Sequence, residues 1–204
     1  MKKIENAEQK ERIQKHAEVE IKRLNREEID VSIKGVTPLL MEKMDASVVD
    51  KYDKKKGKRI IKTDDRMEAE KTDDKIYHTE DGNIGFPVAA FAKGMVEVAP
   101  YVDLDKKRVR GSVRILGNIT PIEFKDKTLN TAVGKTSGMT KAPRKIIRPE
   151  FHGWSCALKI LFNANEISAE QIVNLLNHAG FHMGIGGWRP EHGGTYGQYE
   201  VSSA

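Results

Sequence analysis

Apolar and polar positions follow recognisable periods along several stretches of the chain. Between Ile29 and Ile33 the apolar residues alternate with Asp30, Ser32 and then Lys34, the two-residue period of a strand buried on one face. Gly35 and Pro38 interrupt it within the apolar loop Val36-Thr37-Pro38-Leu39-Leu40-Met41. Pro87 suits the first position of a helix, where its missing N–H would be unpaired anyway. Phe91, Met95, Val98 and Val102 follow at intervals of 4, 3 and 4 residues, which predicts a helix from about Pro87 to Ala99, ended by Pro100. Val109, Val113 and Ile115 alternate with Arg110, Ser112 and Arg114, predicting a second half-buried strand whose outward face carries two arginines. From Trp154 to Asn163 the alternation is the clearest in the chain. Ser168 and Gln171 then form a capping box, followed by the helical stripe Ile172, Leu175, Leu176 and Ala179, with Gly180 as its close. Tyr199 and Val201 sit on a last strand.

Three segments lack such a core-facing pattern. Residues 1–27 are rich in Lys, Glu, Gln and Arg, with Ile4, Ile13, Ala17, Ile21 and Leu24 at roughly helical spacing, and read as a charged N-terminal helix. Residues 44–80 read as a charged surface insertion. The Thr-, Gly- and Pro-rich segment around 120–150 has the length of a projecting hairpin or an unanchored loop. The elements therefore run β-α-β, a loop, then β-α-β. This is the order of an α+β, ferredoxin-like or RNA-recognition-motif-like β-α-β-β-α-β core, spanning 28–204 as a single domain with two insertions. Both helices cover one sheet face and leave the other bare, ready to present cations and rings to a polyanion.

Charge placement sharpens this picture. Of 204 residues, 35 are Lys or Arg against 30 acids, an excess of only +5. From Lys125 to Arg148, however, Lys125, Lys127, Lys135, Lys141, Arg144, Lys145 and Arg148 face Asp126 alone. From Phe151 to Ala204, Lys159 and Arg189 are outnumbered by Glu166, Glu170, Glu191 and Glu200. Positive charge is thus concentrated in one strip, as phosphate binding requires. No window approaches the roughly 18 apolar residues of a membrane helix, and the start MKKIENAEQKER lacks a signal peptide's apolar stretch, so the expected location is the cytosol without a membrane partner. A single cysteine, Cys156, excludes an internal disulfide and a multi-cysteine zinc cage.

The run from Gly184 to Gly197 is the richest in candidate chemistry. It follows a helix and precedes a strand, so it is neither a P-loop nor a dinucleotide fingerprint, and no cofactor is expected. Its glycines allow close backbone approach, and Trp188, Arg189, His192 and Tyr196 are side chains that stack on bases and hold phosphates. His178 and His182 are four apart without a carboxylate or cysteine to complete a tetrahedral set, so no metal site is assigned. No nucleophile motif occurs, and no catalytic residue is assigned. The candidate nucleic-acid-binding set is Lys93, Arg110, Arg114, Lys135, Lys141, Arg144, Lys145, Arg148, Trp188, Arg189, His192 and Tyr196.

Three patches resemble the RAMP superfamily, the RNA-recognition-fold subunits of CRISPR effector complexes. Ile84-Gly85-Phe86-Pro87-Val88-Ala89-Ala90-Phe91-Ala92-Lys93-Gly94 is similar to that family's helix start, with Val88, Ala89 and Ala90 replacing its Gly-Ser-Ser. The strand running into Gly35-Val36-Thr37-Pro38-Leu39-Leu40 resembles the opening strand, and Gly193-Gly194-Thr195-Tyr196-Gly197-Gln198-Tyr199 the C-terminal glycine-rich loop. The resemblance implies a backbone-type subunit that assembles side by side along single-stranded RNA, or DNA, as a homo-oligomer or filament. It also implies that segment 125–148 acts as a thumb and that Lys93 lies near the RNA backbone. Two other readings stand beside it: a structural or protein-interaction module, such as a phage assembly component or effector-subunit mimic, and an endoribonuclease using His152 or His192 as base.

Overall fold

The computed structural model describes residues 23–43, 72–135 and 143–202. In chain order these form β1 (Arg26–Gly35), β2 (Leu39–Leu40), β3 (Tyr77–His78), β4 (Ile84–Pro87), α1 (Val88–Val98), α2 (Lys106–Ser112), β5 (Val113–Ile115), β6 (Ile119–Glu123), β7 (Asp126–Lys135), β8 (Pro143–His152), β9 (Ser155–Asn163), α3 (Ala169–His182) and β10 (Tyr199–Val201). Short 3₁₀ turns occupy Ala99–Val102 and Pro190–His192. The first sheet is ordered β10-β1-β9-β6-β4-β3, with β5 also paired to β9. All its pairings are antiparallel, and the central order β10-β1-β9-β5/β6 is the ferredoxin-like arrangement expected above.

Alternation makes β1 and β9 the spine of the sheet. Val31 and Ile33 lie opposite Leu158 and Cys156 on the buried side. Against them pack Phe91, Met95 and Val98 of α1 and Ile172, Leu175, Leu176 and Ala179 of α3. The capping box is present: Ser168 accepts from the Gln171 N–H at 3.2 Å, and the Gln171 side chain accepts from the Ser168 N–H at 3.0 Å.

Several expectations are corrected. Residues 26 and 27 open β1 and are not helical; residues 1–22 of the expected N-terminal helix lie outside the described residues, as do 44–71 of the charged insertion. Val109 and Arg110 belong to α2, and the strand begins only at Val113. The reason is local: Asp105 caps α2 by accepting from the N–H groups of Lys107 and Arg108, and the four-residue step from Val109 to Val113 fits a helix as well as a strand. Gly180 does not close the second long helix, which runs on to His182. Gly180 is there because a Cβ at that position would lie 1.9 Å from the carbonyl oxygen of Tyr199, where β10 crosses α3. The chain leaves α3 at Gly184, whose φ of +60° glycine adopts freely.

The segment 125–148 is not an unanchored loop. It forms the antiparallel hairpin β7–β8, which joins β2 in a second sheet ordered β2-β8-β7. Leu39 and Leu40 pair with Phe151 and Glu150, and buried Phe151 packs edge-on against Phe124 at 4.9 Å, fastening the hairpin base to the core. Lys127 adds an ion pair to Asp73 at 3.0 Å, and Lys75 donates to the carbonyl of Ile147.

One buried group is poorly accommodated. The Tyr199 hydroxyl is inaccessible and has no hydrogen-bond partner among the described residues, and burial pushes its pKa up. An unsatisfied buried hydroxyl destabilises by about 1 kcal/mol or more. Tyr199→Phe, which keeps the ring against Phe91 and Trp154, is therefore expected to raise the urea midpoint; a lower midpoint would contradict this.

Candidate nucleic-acid interface

The glycine-rich run between α3 and β10 folds back on itself. Tyr196 N–H donates to the Trp188 carbonyl at 3.1 Å, and the Gly194 Cα passes so near that a Cβ there would sit 1.8 Å from the same oxygen. Trp188 is held at φ 50°, a left-handed conformation that costs a non-glycine residue of order 1–3 kcal/mol. The folded loop is tied to the chain around β2: Gly187 N–H donates to the Leu40 carbonyl at 2.9 Å and Gly197 N–H to the Pro38 carbonyl at 2.8 Å. Because β2 pairs with β8, these bonds carry the loop to the basic hairpin.

Side chains from both elements meet there. The Arg148 guanidinium, from β8, lies 5.5 Å from the centre of the Trp188 ring. Tyr196 is tilted against Trp188 at 6.3 Å, and its hydroxyl accepts from the Asn130 amide of β7 at 3.2 Å. Trp188 remains 42% exposed, so a stacking surface faces outward over a cation. Beside it opens a cleft of about 540 Å³ lined by Lys93, Arg148, Trp188, Arg189 and His192 of the expected set. Five candidates drawn from three separated parts of the sequence thus share one cavity, with Tyr196 supporting its aromatic wall.

The cations of this cleft have partners that composition did not reveal. Arg148 donates from Nε and Nη2 to Glu42 at 2.8 Å each. Arg189 donates to Glu191 through Nε at 2.8 Å and also through Nη2, while Lys93 Nζ lies 3.4 Å from the other Glu191 oxygen. Partial burial works against the charge of Glu191, but Arg189 and Lys93 outweigh it and hold the carboxyl below the usual carboxylate range. Glu191 competes with any incoming phosphate for both cations. Glu191→Gln is expected to tighten RNA binding about two- to fivefold at low salt, the range of one exposed charge interaction; weaker binding in an anisotropy titration would argue against that competition.

Other candidates lie elsewhere. Arg110 and Arg114 line a second cleft on the other side of α1, where the Arg114 guanidinium donates to the carbonyls of Arg110 and Val113; Lys93 borders both clefts. Lys135 and Arg144 are placed in β7 and β8 beside their partners Pro143 and Gly134, Lys145 is exposed opposite Val133, and Lys141 lies outside the described residues. His152 Nε2 is 3.0 Å from the Thr128 hydroxyl and 3.4 Å from Glu150, at the hairpin base.

The bare sheet face is present but differs from expectation. Across β1, β9 and β10 it carries no aromatic ring, and its charges are of both signs, with Asp30 opposite Lys159 and Lys34 opposite Glu200. The rings gather instead where hairpin and glycine-rich loop meet. Glu42, Asn130 and Glu191 complete that place; of these only Glu191, two residues from Arg189, had a local signal.

No protein-family model and no curated protein sequence matches the chain. Among solved structures, a chain of the cryo-EM structure of the type III-B Cmr-beta bound to cognate target RNA aligns with a TM-score of 0.56 at 12% identity, covering 98% of this chain. The chain shares the fold of that Cmr-beta chain. It spans 65% of the length of that Cmr-beta chain. The crystal structure of Cmr6 from Pyrococcus furiosus aligns at a TM-score of 0.44 and 11% identity, over 88% of this chain and all of the other. Among the described residues, no helix is long and apolar enough to cross a membrane, and no three His, Cys, Asp or Glu side chains are grouped to hold a metal.

Proposed function

We propose that the chain binds single-stranded RNA without cleaving it, as a backbone-type subunit that assembles side by side along the strand. The observation that carries this reading is the meeting of the basic hairpin with the Trp188, Tyr196 and Arg148 cluster. It joins a strip of cations for phosphates to an exposed ring for bases, the two parts that sequence-tolerant single-strand binders combine. The fold supports it, since a structure sharing this fold is of a protein bound to target RNA. The mixed charges of the bare sheet face leave that surface to protein contacts, and the strand follows the hairpin.

Counterion release supplies the test. Each phosphate neutralised on a single strand contributes a slope of about −0.7 in log affinity against log salt, so four or five hairpin contacts predict a slope near −3. Affinity that stays flat between low and moderate salt would sink the proposal. Side-by-side assembly predicts that longer RNAs carry proportionally more copies, measured by light scattering or seen as filaments in electron micrographs.

A further inference from the structure

The edge strand of a sheet presents a row of unpaired N–H and C=O groups, and a long one is a template for another strand. The first sheet ends on β10 and β3, which are three and two residues long and offer little to pair with. The second sheet ends on β7, which is ten residues long. Its register with β8 runs from Asp126 opposite His152 to Lys135 opposite Pro143 without a bulge. Between them, Thr128 to Gly134 carry neither proline nor charge, the devices that usually guard an open edge. Among the described residues no strand pairs with the outer side of β7.

Alternation divides the side chains of β7 between two faces. Asn130 lies on the Trp188 side, where its amide reaches Glu150 and Tyr196. Leu129, Thr131 and Val133 lie on the other face and are exposed, Val133 at 77%. This order of apolar, polar and apolar residues is its own complement. A second β7 laid antiparallel on the edge, with Thr131 opposite Thr131, sets Leu129 against the partner's Val133 and Val133 against the partner's Leu129. Such cross-strand pairs are the unit of sheet stabilisation. The two-fold axis then passes through Thr131, perpendicular to the sheet, and keeps like faces on one side. Moving the axis to Asn130 sets Val133 against Lys127, and moving it to Ala132 sets Leu129 against Lys135, so the apolar residues select Thr131. In that register Lys127 comes opposite the partner's Lys135, and the ion pair of Lys127 with Asp73 at 3.0 Å eases their meeting.

We infer that β7 is a self-association edge, along which two copies of the chain pair antiparallel through Thr128 to Gly134 and join their three-stranded sheets into one of six strands. The contact closes on two copies, which sets it apart from the head-to-tail contact of side-by-side assembly. Edge pairing covers neither face of the hairpin, so the Trp188 side stays open.

The full chain, freed of nucleic acid, is measured by light scattering at micromolar concentrations. A mass twice that of one chain is expected, falling to that of one chain in Thr131→Lys, which sets two ammonium groups opposite each other on the axis. The position is exposed, so the far-ultraviolet circular dichroism of this variant is expected to match that of the natural chain. Oxidation tests the register. Thr131→Cys faces its own copy within disulfide reach, whereas Val133→Cys lies about 13 Å along the strand from its copy, and the native Cys156 is buried. Thr131→Cys is expected to cross-link and Val133→Cys to remain uncross-linked. A single-chain mass for the natural chain, a dimer that survives Thr131→Lys, or equal cross-linking of the two cysteine variants overturns the interface. These measurements contain no RNA, so the RNA-binding reading stands or falls separately.

Discussion

Replacing Trp188 with alanine is expected to weaken RNA binding about tenfold, the middle of the range for losing one base-stacking ring. The ring is exposed, stands on the Arg148 guanidinium and is buttressed by Tyr196, so it is held ready for a base at little cost in side-chain freedom. Folding should survive the substitution. The backbone bonds that shape the loop, from Tyr196 N–H to the Trp188 carbonyl and from Gly187 N–H to the Leu40 carbonyl, do not involve the indole. The chain has two tryptophans, and Trp154 is deep in the core with its Nε1–H donating to the Thr37 carbonyl at 2.8 Å. RNA-dependent quenching of tryptophan emission should therefore vanish in Trp188→Ala. Unchanged affinity together with unchanged quenching would show that the strand passes elsewhere.

Gly180→Ala carries the largest expected cost in stability, about 3 kcal/mol, at the upper end of overpacking penalties. The added Cβ would lie 1.9 Å from the Tyr199 carbonyl oxygen, which is backbone and cannot swing aside as a side chain end could. Relief requires α3 and β10 to separate, and β10 is both an edge of the sheet and the exit of the glycine-rich loop. The same substitution at Gly111 of α2, where a Cβ meets nothing within 4 Å, is expected to stabilise by about 0.5 kcal/mol because alanine is the better helix former. Chemical unfolding of the two variants side by side checks the contrast. A Gly180→Ala midpoint equal to that of the natural chain would mean that β10 does not pack on α3 as closely as described.

The sequence made some of these features plain and hid others, for reasons visible residue by residue. The strand Ser155–Asn163 and the helix opened by Ser168 and Gln171 could be read directly, because a two-residue period and a capping box are local properties. Val109 misled because its spacing to Val113 suits two periods, and the Asp105 cap decided between them. Gly180 looked like a helix terminator because nothing near it in the chain announces that Tyr199, nineteen positions later, will press against it. The basic segment was recognised as a strip of charge, but whether it stood free or paired depended on β2, a two-residue strand about a hundred positions upstream.

Local periodicity and charge placement were thus enough to locate β1, α1, β9, α3 and β10, the ferredoxin-like class and the concentration of cations in one segment. Which cations meet which acids lay beyond them. Glu42 and Arg148 are separated by 106 residues, and Lys93 and Glu191 by 98. Only the close approach created by antiparallel pairing of β2 with β8, and by the crossing of the glycine-rich loop over α1, turns a list of charged side chains into a nearly neutral cleft beside a basic hairpin. Electrostatic pairing depends on distance in space, and folding alone sets that distance.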